Sequence, residues 1–341
     1  MNVVKVLFIF LIYLATVPTN VMCLGAFTES WLVDFGITRK FITHAYLLST
    51  FGVFLSLVFF RFHCSVAKVF CILGWCSLIF VFISKSCIST TGLFAMFFIF
   101  QWLGQGYLVS ICRKGLWTYT KQNQYSCWVG LLEASGTLAV FLYPFLLLWA
   151  MRFLSWSFIY VILAGVYFTF SFTSRSLSIE RPSLKWSSIW KDVRFVWANV
   201  IIYLPVMLTS GLFFHLEAFC QHRSINIVDL GQVACGQAIG IVLGQILLGS
   251  FCRCNEKIMR YFFVILFFSQ VLWCYALWQA KIFTSMLCGI VGWSLFGILV
   301  NVTWPWLYKN RQEYAENAIE ASVVFGFLAN SIGPVLFYFF V

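Results

Sequence analysis

Several polar side chains lie inside long apolar runs and could take part in chemistry. Gln101 and Gln105 are four residues apart, so on an α-helix they lie on one face. An amide both donates and accepts hydrogen bonds, so these two side chains could bind a polar solute of either charge or of none. His215 titrates near neutral pH and can relay protons or, when charged, bind an anion. Asn301 and Trp304 are three residues apart and offer an amide and an aromatic wall. These residue types favour solute binding over catalysis.

Each of these groups also has a purely structural interpretation. The two glutamines can form hydrogen bonds between helices, which contribute only about 0.6–2 kcal/mol in membranes. His215 lies near the end of its apolar run and can be a tethered gate residue, whereas Asn301 and Trp304 can simply pack in the interior. Asn20 follows Pro18 in the first run, where a proline frees a backbone carbonyl that polar neighbours can satisfy. Asn20 can therefore contact a solute or only stabilise a kink.

Two carboxylates occur in matched fragments, GLLEAS around Glu133 and AIEAS around Glu320. Each is predicted in the first turn of a helix, where a negative charge complements the helix dipole. Basic loop residues, Arg113 and Arg311 among them, can pair with these carboxylates. We interpret the four residues as a structural charge network at the cytoplasmic helix ends, with a proton site within the membrane as the alternative.

The cysteines and histidines do not match a metal site. His63-Cys64 and Cys252-Arg253-Cys254 fall in loops, but their spacing differs from that of known zinc ligands. The sequence also lacks a phosphate-cradling glycine loop and a nucleophile motif. We therefore predict no enzymatic activity, no metal and no cofactor.

The elements that carry these side chains must be membrane helices. Hydrophobic residues make up 62% of the 341 residues and charged residues 10%, whereas a soluble domain carries about 25% charged residues. The mean hydropathy is +0.92, and the apolar runs have about 20 residues, the length of a bilayer-spanning helix. The net charge of +11 lies in short clusters between these runs, as topology determinants do. The sequence predicts an all-α polytopic membrane protein in a lipid bilayer, with no nucleic-acid partner.

The apolar runs predict eleven transmembrane helices. With a cytoplasmic N-terminus, only six of the 22 Lys and Arg residues fall on the outer side, namely Arg39, Lys40, Lys85, Arg152, Arg223 and Lys281. This bias follows the positive-inside rule. A missed helix would assign every later loop to the wrong side and would remove the bias. The predicted spans are 4–25, 40–60, 66–86, 91–112, 127–149, 153–174, 195–220, 229–251, 259–280, 283–307 and 318–341.

The longest polar segment, residues 175–194, is basic and contains Pro182. It predicts a cytoplasmic linker between a six-helix bundle, 1–174, and a five-helix bundle, 195–341. The halves also repeat each other, because WTYTKQNQYSCWVGLLEAS from Trp117 corresponds to WLYKNRQEYAENAIEAS from Trp306. Parallel repeats of this kind are a transporter architecture with the solute cavity between the halves.

Stretches along nearly the whole chain resemble a known family. They are FGITRKFITHAYLLSTFG (35–52), FQWLGQGYL (100–108), WVGLLEAS with the later Pro144 (128–144), GLFFHLEAF (211–219) and NSIGP (330–334). In order and spacing they resemble the major facilitator superfamily (MFS), loosely its monocarboxylate and oxalate/formate carrier branch. The resemblance implies two pseudo-symmetric helical bundles in which spans one, four, seven and ten line the cavity.

The sequence departs from the family pattern at several positions. The loop between spans two and three reads FFRFHCSVAK (59–68), without the usual acidic and glycine residues, and Gln101 stands where an Arg is expected. A twelfth helix is not evident before Val341. These departures leave an uncoupled facilitator, or a transporter-like sensor or decayed carrier, as alternatives.

The resemblance and the placed polar residues together predict a secondary transporter. It is expected to move a small polar solute by alternating access, with an organic anion as one candidate solute and protons as the candidate coupling ion. We expect a monomer in the cell membrane, or in the inner membrane of a Gram-negative bacterium. The predicted solute-binding residues are Asn20, Gln101, Gln105, His215, Asn301 and Trp304, and the predicted charge network is Arg113, Glu133, Arg311 and Glu320.

Overall fold

The computed structural model describes most of the chain. Its described residues are 3–20, 23, 27–59, 64–84, 90–121, 124–177, 189–214, 219, 222–248, 256–308, 310 and 312–337. For some residues inside these ranges, Glu320 among them, only the backbone is described.

Every predicted apolar run forms a helical span in the described residues. The helices are α1 (Val3–Thr16), α2 (Thr28–Phe35), α3 (Arg39–Phe59), α4 (Val66–Ser84), α5 (Thr90–Ile99), α6 (Val109–Tyr119), α7 (Tyr125–Ala150), α8 (Trp156–Thr173), α9 (Val193–Ile202), α10 (Leu204–Phe214), α11 (Ile227–Leu243), α12 (Glu256–Trp278), α13 (Ile282–Leu307) and α14 (Gln312–Phe337). A π-helical segment, Phe100–Leu108, joins α5 to α6, and a second one, Gly244–Leu248, extends α11. Spans four, seven and eight are therefore each composed of two or more pieces.

The predicted all-α membrane fold is confirmed. Among the described residues, five helices are by themselves long and apolar enough to cross a membrane, and four shorter apolar helices accompany them. A helix satisfies its own backbone hydrogen bonds, which a bilayer interior demands. The protein is a multi-pass membrane protein.

The chain packs as two compact units. The first comprises Met1–Tyr119 and Leu138–Pro182, and the second comprises Thr120–Thr137 and Ser183–Val341. α7 therefore contributes its first half to the second unit and its second half to the first. The sequence pattern assigned all of this helix to the bundle 1–174, because hydropathy identifies a span but not the helices against which it packs.

In the first unit α4 packs lengthwise against α8. The rings of Phe70 and Phe170 stack with their centroids 5.2 Å apart, and the Ser171 hydroxyl donates to the Ala67 carbonyl over 2.8 Å. Between membrane helices the association depends on such packing and hydrogen bonds, because lipid tails are as apolar as the helix surfaces.

α2 is an additional helix that the apolar runs do not predict. Trp31, at its centre, is fully buried and its ring centroid lies 5.6 Å from that of Phe27 and 6.4 Å from that of Trp156. The Trp156 indole N–H donates to the Asp34 carboxylate. Gly36, with a φ of 61°, ends the helix in the left-handed conformation that favours glycine. The four-residue spacing of Phe27 and Trp31 before this glycine was the available sequence signal.

In the second unit α11 and α13 approach each other along the stripe Gly236, Gly240 and Gly244. A Cβ atom on Gly240 would lie 2.5 Å from the Ile290 carbonyl oxygen. The Ser294 hydroxyl donates to the Gly240 carbonyl over 2.9 Å. The GxxxGxxxG spacing predicts such a close approach, and the structure confirms it.

The matched EAS fragments hold equivalent positions in α7 and α14. The Ser135 hydroxyl donates to the Leu132 carbonyl over 2.7 Å, and the Ser322 hydroxyl donates to the Ile319 carbonyl over 2.8 Å. Other helical serines form the same hydrogen bond to the carbonyl three residues earlier, so the bond is a local feature of these helices.

Candidate functional site

Pro18 ends α1 and begins the polar region of the first unit. A proline has no N–H group with which to continue the helix, and Val17–Thr19 form a 3-10 turn in which the Asn20 N–H donates to the Val17 carbonyl over 2.9 Å. The Thr16 carbonyl also accepts from side chains, and the Thr19 hydroxyl is one of the donors at 2.6 Å. The kink presents a backbone acceptor in a buried place.

The π-helical segment Phe100–Leu108 carries both predicted glutamines. Its wide turns form i→i+5 hydrogen bonds, an arrangement that is frequent at functional sites. Gln101 is buried and Gln105 is half-buried. Gly104, between them, allows close approach to the end of α1, because a Cβ atom on Gly104 would overlap the Thr19 side chain.

Gln105 joins span four to the kink of span one. Its amide nitrogen donates to the Thr16 carbonyl over 2.8 Å and to the Thr19 hydroxyl over 3.2 Å. The Asn20 amide nitrogen donates to Gln105 Oε1 over 3.5 Å, which is a long hydrogen bond. The structure therefore brings the predicted residues Asn20 and Gln105 together, in a cluster of neutral amide, hydroxyl and carbonyl groups. We call Thr16, Thr19, Asn20 and Gln105 the kink cluster.

Gln101 contacts a different helix from Gln105. Its Oε1 accepts from the Thr50 hydroxyl of α3 over 3.3 Å. Its buried Nε2 has no hydrogen-bond partner among the described residues. The two glutamines are four residues apart, but they do not share a partner: Gln101 contacts α3 and Gln105 contacts the end of α1. Gln101 keeps an unused donor in a buried position.

Asn301 and Trp304 are buried in α13 of the second unit. The Asn301 amide nitrogen donates to the Gly297 carbonyl over 2.9 Å, and its Oδ1 has no partner among the residues that the structure describes. The Trp304 ring packs against Phe195 with centroids 5.1 Å apart. Trp304 is thus part of an aromatic core, whereas Asn301 keeps an unused acceptor.

Gln245 is a buried polar residue that the sequence pattern does not single out. It is 1% exposed, and the Thr137 hydroxyl of α7 donates to its Oε1 over 3.5 Å. Gly130 lets α7 approach, because a Cβ atom there would lie 2.5 Å from the Gln245 carbonyl oxygen and 3.8 Å from the Asn301 amide nitrogen. The Gly-Gln pair inside an apolar run, which also occurs in span four, was the signal that could have found it.

The predicted charge network and histidine are only partly covered by the structure. Glu133 is buried on α7 and Arg113 is half-buried on α6. The prediction that Glu133 and Glu320 lie in the first turn of a helix was wrong. Because α7 begins at Tyr125 and α14 begins at Gln312, both helices extend through the polar residues before these carboxylates. Arg311 and His215 lie outside the described residues, and only the backbone of Glu320 is described. The pairing of these charges and the role of His215 stay predictions.

Asp192 connects the end of the linker to span ten. It caps α9 by accepting from the Arg194 backbone N–H, it forms an ion pair with the Arg194 guanidinium, and it accepts from the Tyr308 hydroxyl, each at 3.0 Å. The hydrogen bond from the Arg194 side chain is the main cause that lowers the pKa of Asp192, and burial raises the pKa of Tyr308. The sequence pattern gave no sign of this contact between residues 116 positions apart.

Comparison with known proteins identifies the architecture. No protein-family model matches the sequence, and no curated protein matches it. The crystal structure of the E. coli fucose:proton symporter FucP matches with a TM-score of 0.59 and 11% identity, over 99% of this chain and 96% of that chain. FucP is a major facilitator superfamily transporter. This chain has the MFS fold.

Two further structures share the MFS fold with this chain. A bacterial homologue of the iron transporter ferroportin, in an outward-facing state, matches with a TM-score of 0.66 and 12% identity, over 97% of this chain and 92% of that chain. The human organic anion transporter MFSD10 matches with a TM-score of 0.58 and 13% identity, over the same shares. At these identities the similarity shows the MFS fold alone, and it does not select a carrier branch.

Proposed function

We propose that this protein is a secondary transporter that moves a small polar solute across the membrane by alternating access. The observation that carries the proposal is the presence of buried amides with unused hydrogen-bonding capacity, Gln101 Nε2 and Asn301 Oδ1, on spans four and ten. Buried polar groups in a membrane protein are costly unless they find partners, so an unused donor or acceptor on these two spans is a candidate contact for a polar solute.

The chemistry of these groups favours a solute with several hydrogen-bonding atoms. An amide can donate and accept, so Gln101 and Asn301 suit hydroxyl, carbonyl or carboxylate groups of a solute. An organic anion is one candidate, with a charged His215 as its partner. The proteins that share the fold are named as a fucose:proton symporter, an organic anion transporter and a bacterial homologue of an iron transporter. The fold therefore does not select the solute, and these side chains must do so.

Proton coupling is the finer part of the proposal, and it depends on His215. An unperturbed histidine side chain titrates near neutral pH, whereas the kink cluster consists of neutral groups that carry no exchangeable charge. We expect His215→Ala to impair uptake more than Glu217→Ala, because the sequence predicts Glu217 closer to the outer end of span seven. Equal uptake by the two variants at matched expression would remove His215 from the mechanism.

Uptake of a panel of labelled solutes into proteoliposomes tests the proposal. Accumulation above the equilibrium level under an imposed pH gradient indicates proton coupling. Equilibration without accumulation indicates the uncoupled facilitator, which the neutral character of the kink cluster favours. No flux for any solute contradicts transport and leaves the sensor or decayed carrier.

Variants of the two amides test whether each of these residues contributes to uptake. Gln101→Leu and Asn301→Leu are expected to lower uptake by about tenfold, because a polar solute group that loses its partner costs about 1–3 kcal/mol. Gln279→Leu, in an exposed turn, is the matched control. Unchanged uptake in both amide variants would place the solute elsewhere.

A further inference from the structure

An apolar cavity of about 300 Å³ lies in the second unit, at the C-terminal ends of α12 and α14. This volume is at the lower end of the range of small-molecule sites, about 300–1,000 Å³. Its lining atoms are almost all apolar, and a water molecule needs polar partners to occupy a cavity. The walls include Met207, Leu208, Trp273, Cys274, Trp278 and Leu336.

The cavity borders the surface that faces lipid. Trp278 and Leu336, two of its wall residues, are 44% and 42% exposed. Leu272 and Tyr275, on the same part of α12, are also exposed, and large apolar side chains on the outside of a membrane helix contact acyl chains. An occupant of this cavity therefore enters from the bilayer, not from water.

Arg223 places a positive charge beside the cavity. Its guanidinium carbon lies 3.2 Å from the centroid of the Trp278 ring, and its Nε atom is buried without a hydrogen-bond partner in the described part of the chain. A cation over a tryptophan ring is held in place by the ring electrons, but the ring does not satisfy all five guanidinium N–H donors. The guanidinium fork matches the oxygen atoms of a phosphate group.

Trp278 is also the last residue of α12, and tryptophan is enriched at helix ends that lie at the level of lipid headgroups. A lipid whose acyl chain fills the cavity would have its headgroup at this level, next to Arg223. Filling the cavity also restores the dispersion contacts that its wall atoms lack when it is empty.

We propose that this cavity binds one acyl chain of an anionic membrane lipid, and that Arg223 binds the lipid phosphate. The site is separate from the amides proposed for the solute, and it does not depend on transport.

The test uses the full chain in nanodiscs of neutral lipid, doped with phosphatidylglycerol that carries a diazirine on one acyl chain. After irradiation, mass spectrometry locates the labelled peptides. We expect label on the segment that contains Trp273, Cys274 and Trp278. Arg223→Gln should lower this labelling by about tenfold, because a hydrogen bond to a charged group is lost.

Three comparisons decide the outcome. The matched phosphatidylcholine probe should be less sensitive to Arg223→Gln, because its choline cation offsets the charge of the phosphate that Arg223 would bind. Arg152→Gln, a change of another arginine predicted on the outer side, should leave the labelling unchanged. Leu208→Trp should lower labelling by both probes, because the larger side chain fills the cavity; thermal unfolding verifies that each variant is folded.

The proposal is overturned if neither probe labels the cavity walls, or if phosphatidylglycerol labels wild type and Arg223→Gln equally. It is also overturned if free diazirine palmitic acid labels the walls and phosphatidylglycerol does not, because the ligand is then a free fatty acid. Crosslinks to a second copy of the chain at these residues, without lipid label, would assign the cavity to a protein helix instead.

Discussion

The amide nitrogen of Gln105 donates to the backbone carbonyl of Thr16 over 2.8 Å, and thereby joins residues 89 positions apart. That carbonyl belongs to the last residue of α1, and Pro18 keeps the α-helix from continuing. A side chain of span four therefore donates a hydrogen bond to the backbone at the end of the helix in span one. If Gln105 turns to a solute, the kink loses this donor, so we expect solute binding and the geometry of the kink to be linked.

Gln105→Leu tests this link. The variant removes the donors to Thr16 and Thr19, and we expect a loss of about 0.6–1.7 kcal/mol in the free energy of unfolding, the range of side-chain hydrogen bonds between membrane helices. Thermal unfolding in detergent measures the loss. Gln124→Leu, at an exposed position before α7, is the control. Wild-type stability in Gln105→Leu would show that the hydrogen bond contributes nothing to the kink.

Gly104→Ala tests the close approach of the π-helical segment to the end of α1. The added Cβ atom would overlap the Thr19 side chain, and overpacking of this kind destabilises by about 1–3 kcal/mol. Gly165→Ala on α8 is the matched control, because a Cβ atom there meets nothing within 4 Å. Equal unfolding temperatures for the two variants would contradict the close approach.

Tyr107→Phe tests the hydrogen bonds that tie span four to the residue before α4. The Tyr107 hydroxyl donates to the Cys64 carbonyl and accepts from the Cys64 N–H over 3.3 Å. Without them, the segment around Cys64 opens more often, and we expect maleimide labelling of Cys64 to become about fivefold faster, as for the loss of about 1 kcal/mol. Mass spectrometry distinguishes Cys64 from the other cysteines. Tyr261→Phe, at an exposed position, should leave the rate unchanged.

Arg194→Gln tests the ion pair at the start of span seven. A carboxyl whose pKa is lowered by folding contributes stability above its unfolded pKa, here about 3.8, and loses that contribution as the pH falls through its folded pKa. The variant removes the main cause of the lowered Asp192 pKa. Its loss of stability relative to wild type should therefore be largest near pH 6 and should become smaller toward pH 3. Thermal unfolding across this range measures it.

Two further variants complete this comparison. Tyr308→Phe removes one hydrogen bond to Asp192 and should show the same pH trend with a smaller amplitude. Lys191→Gln, an exposed neighbour, should show none. If the stability loss of Arg194→Gln does not depend on pH, the protonation of Asp192 is not coupled to this ion pair.

The amino-acid sequence determined the transmembrane spans and some of their contacts. Membrane helices must satisfy their own backbone and must match the bilayer thickness, so length and hydropathy suffice to locate them. The stripe of Gly236, Gly240 and Gly244 also predicted a close helix contact. Glycines four residues apart lie on one face of a helix, and that face allows a neighbouring helix to approach closely. The resemblance placed Asn20 and Gln105 on spans that line one cavity, but it did not predict the hydrogen bond between them.

Only the tertiary structure decided which way each polar side chain turns and what it meets. In a membrane protein both lipid and core are apolar, so the hydrophobic pattern does not show which face of a helix is buried. Three findings depend on helices far apart in the chain. They are the different partners of Gln101 and Gln105, the approach of Gly130 to Gln245, and the contact of Asp192 with Tyr308. Their hydrogen bonds form only where packing brings those helices together, and sequence spacing carries no record of that geometry.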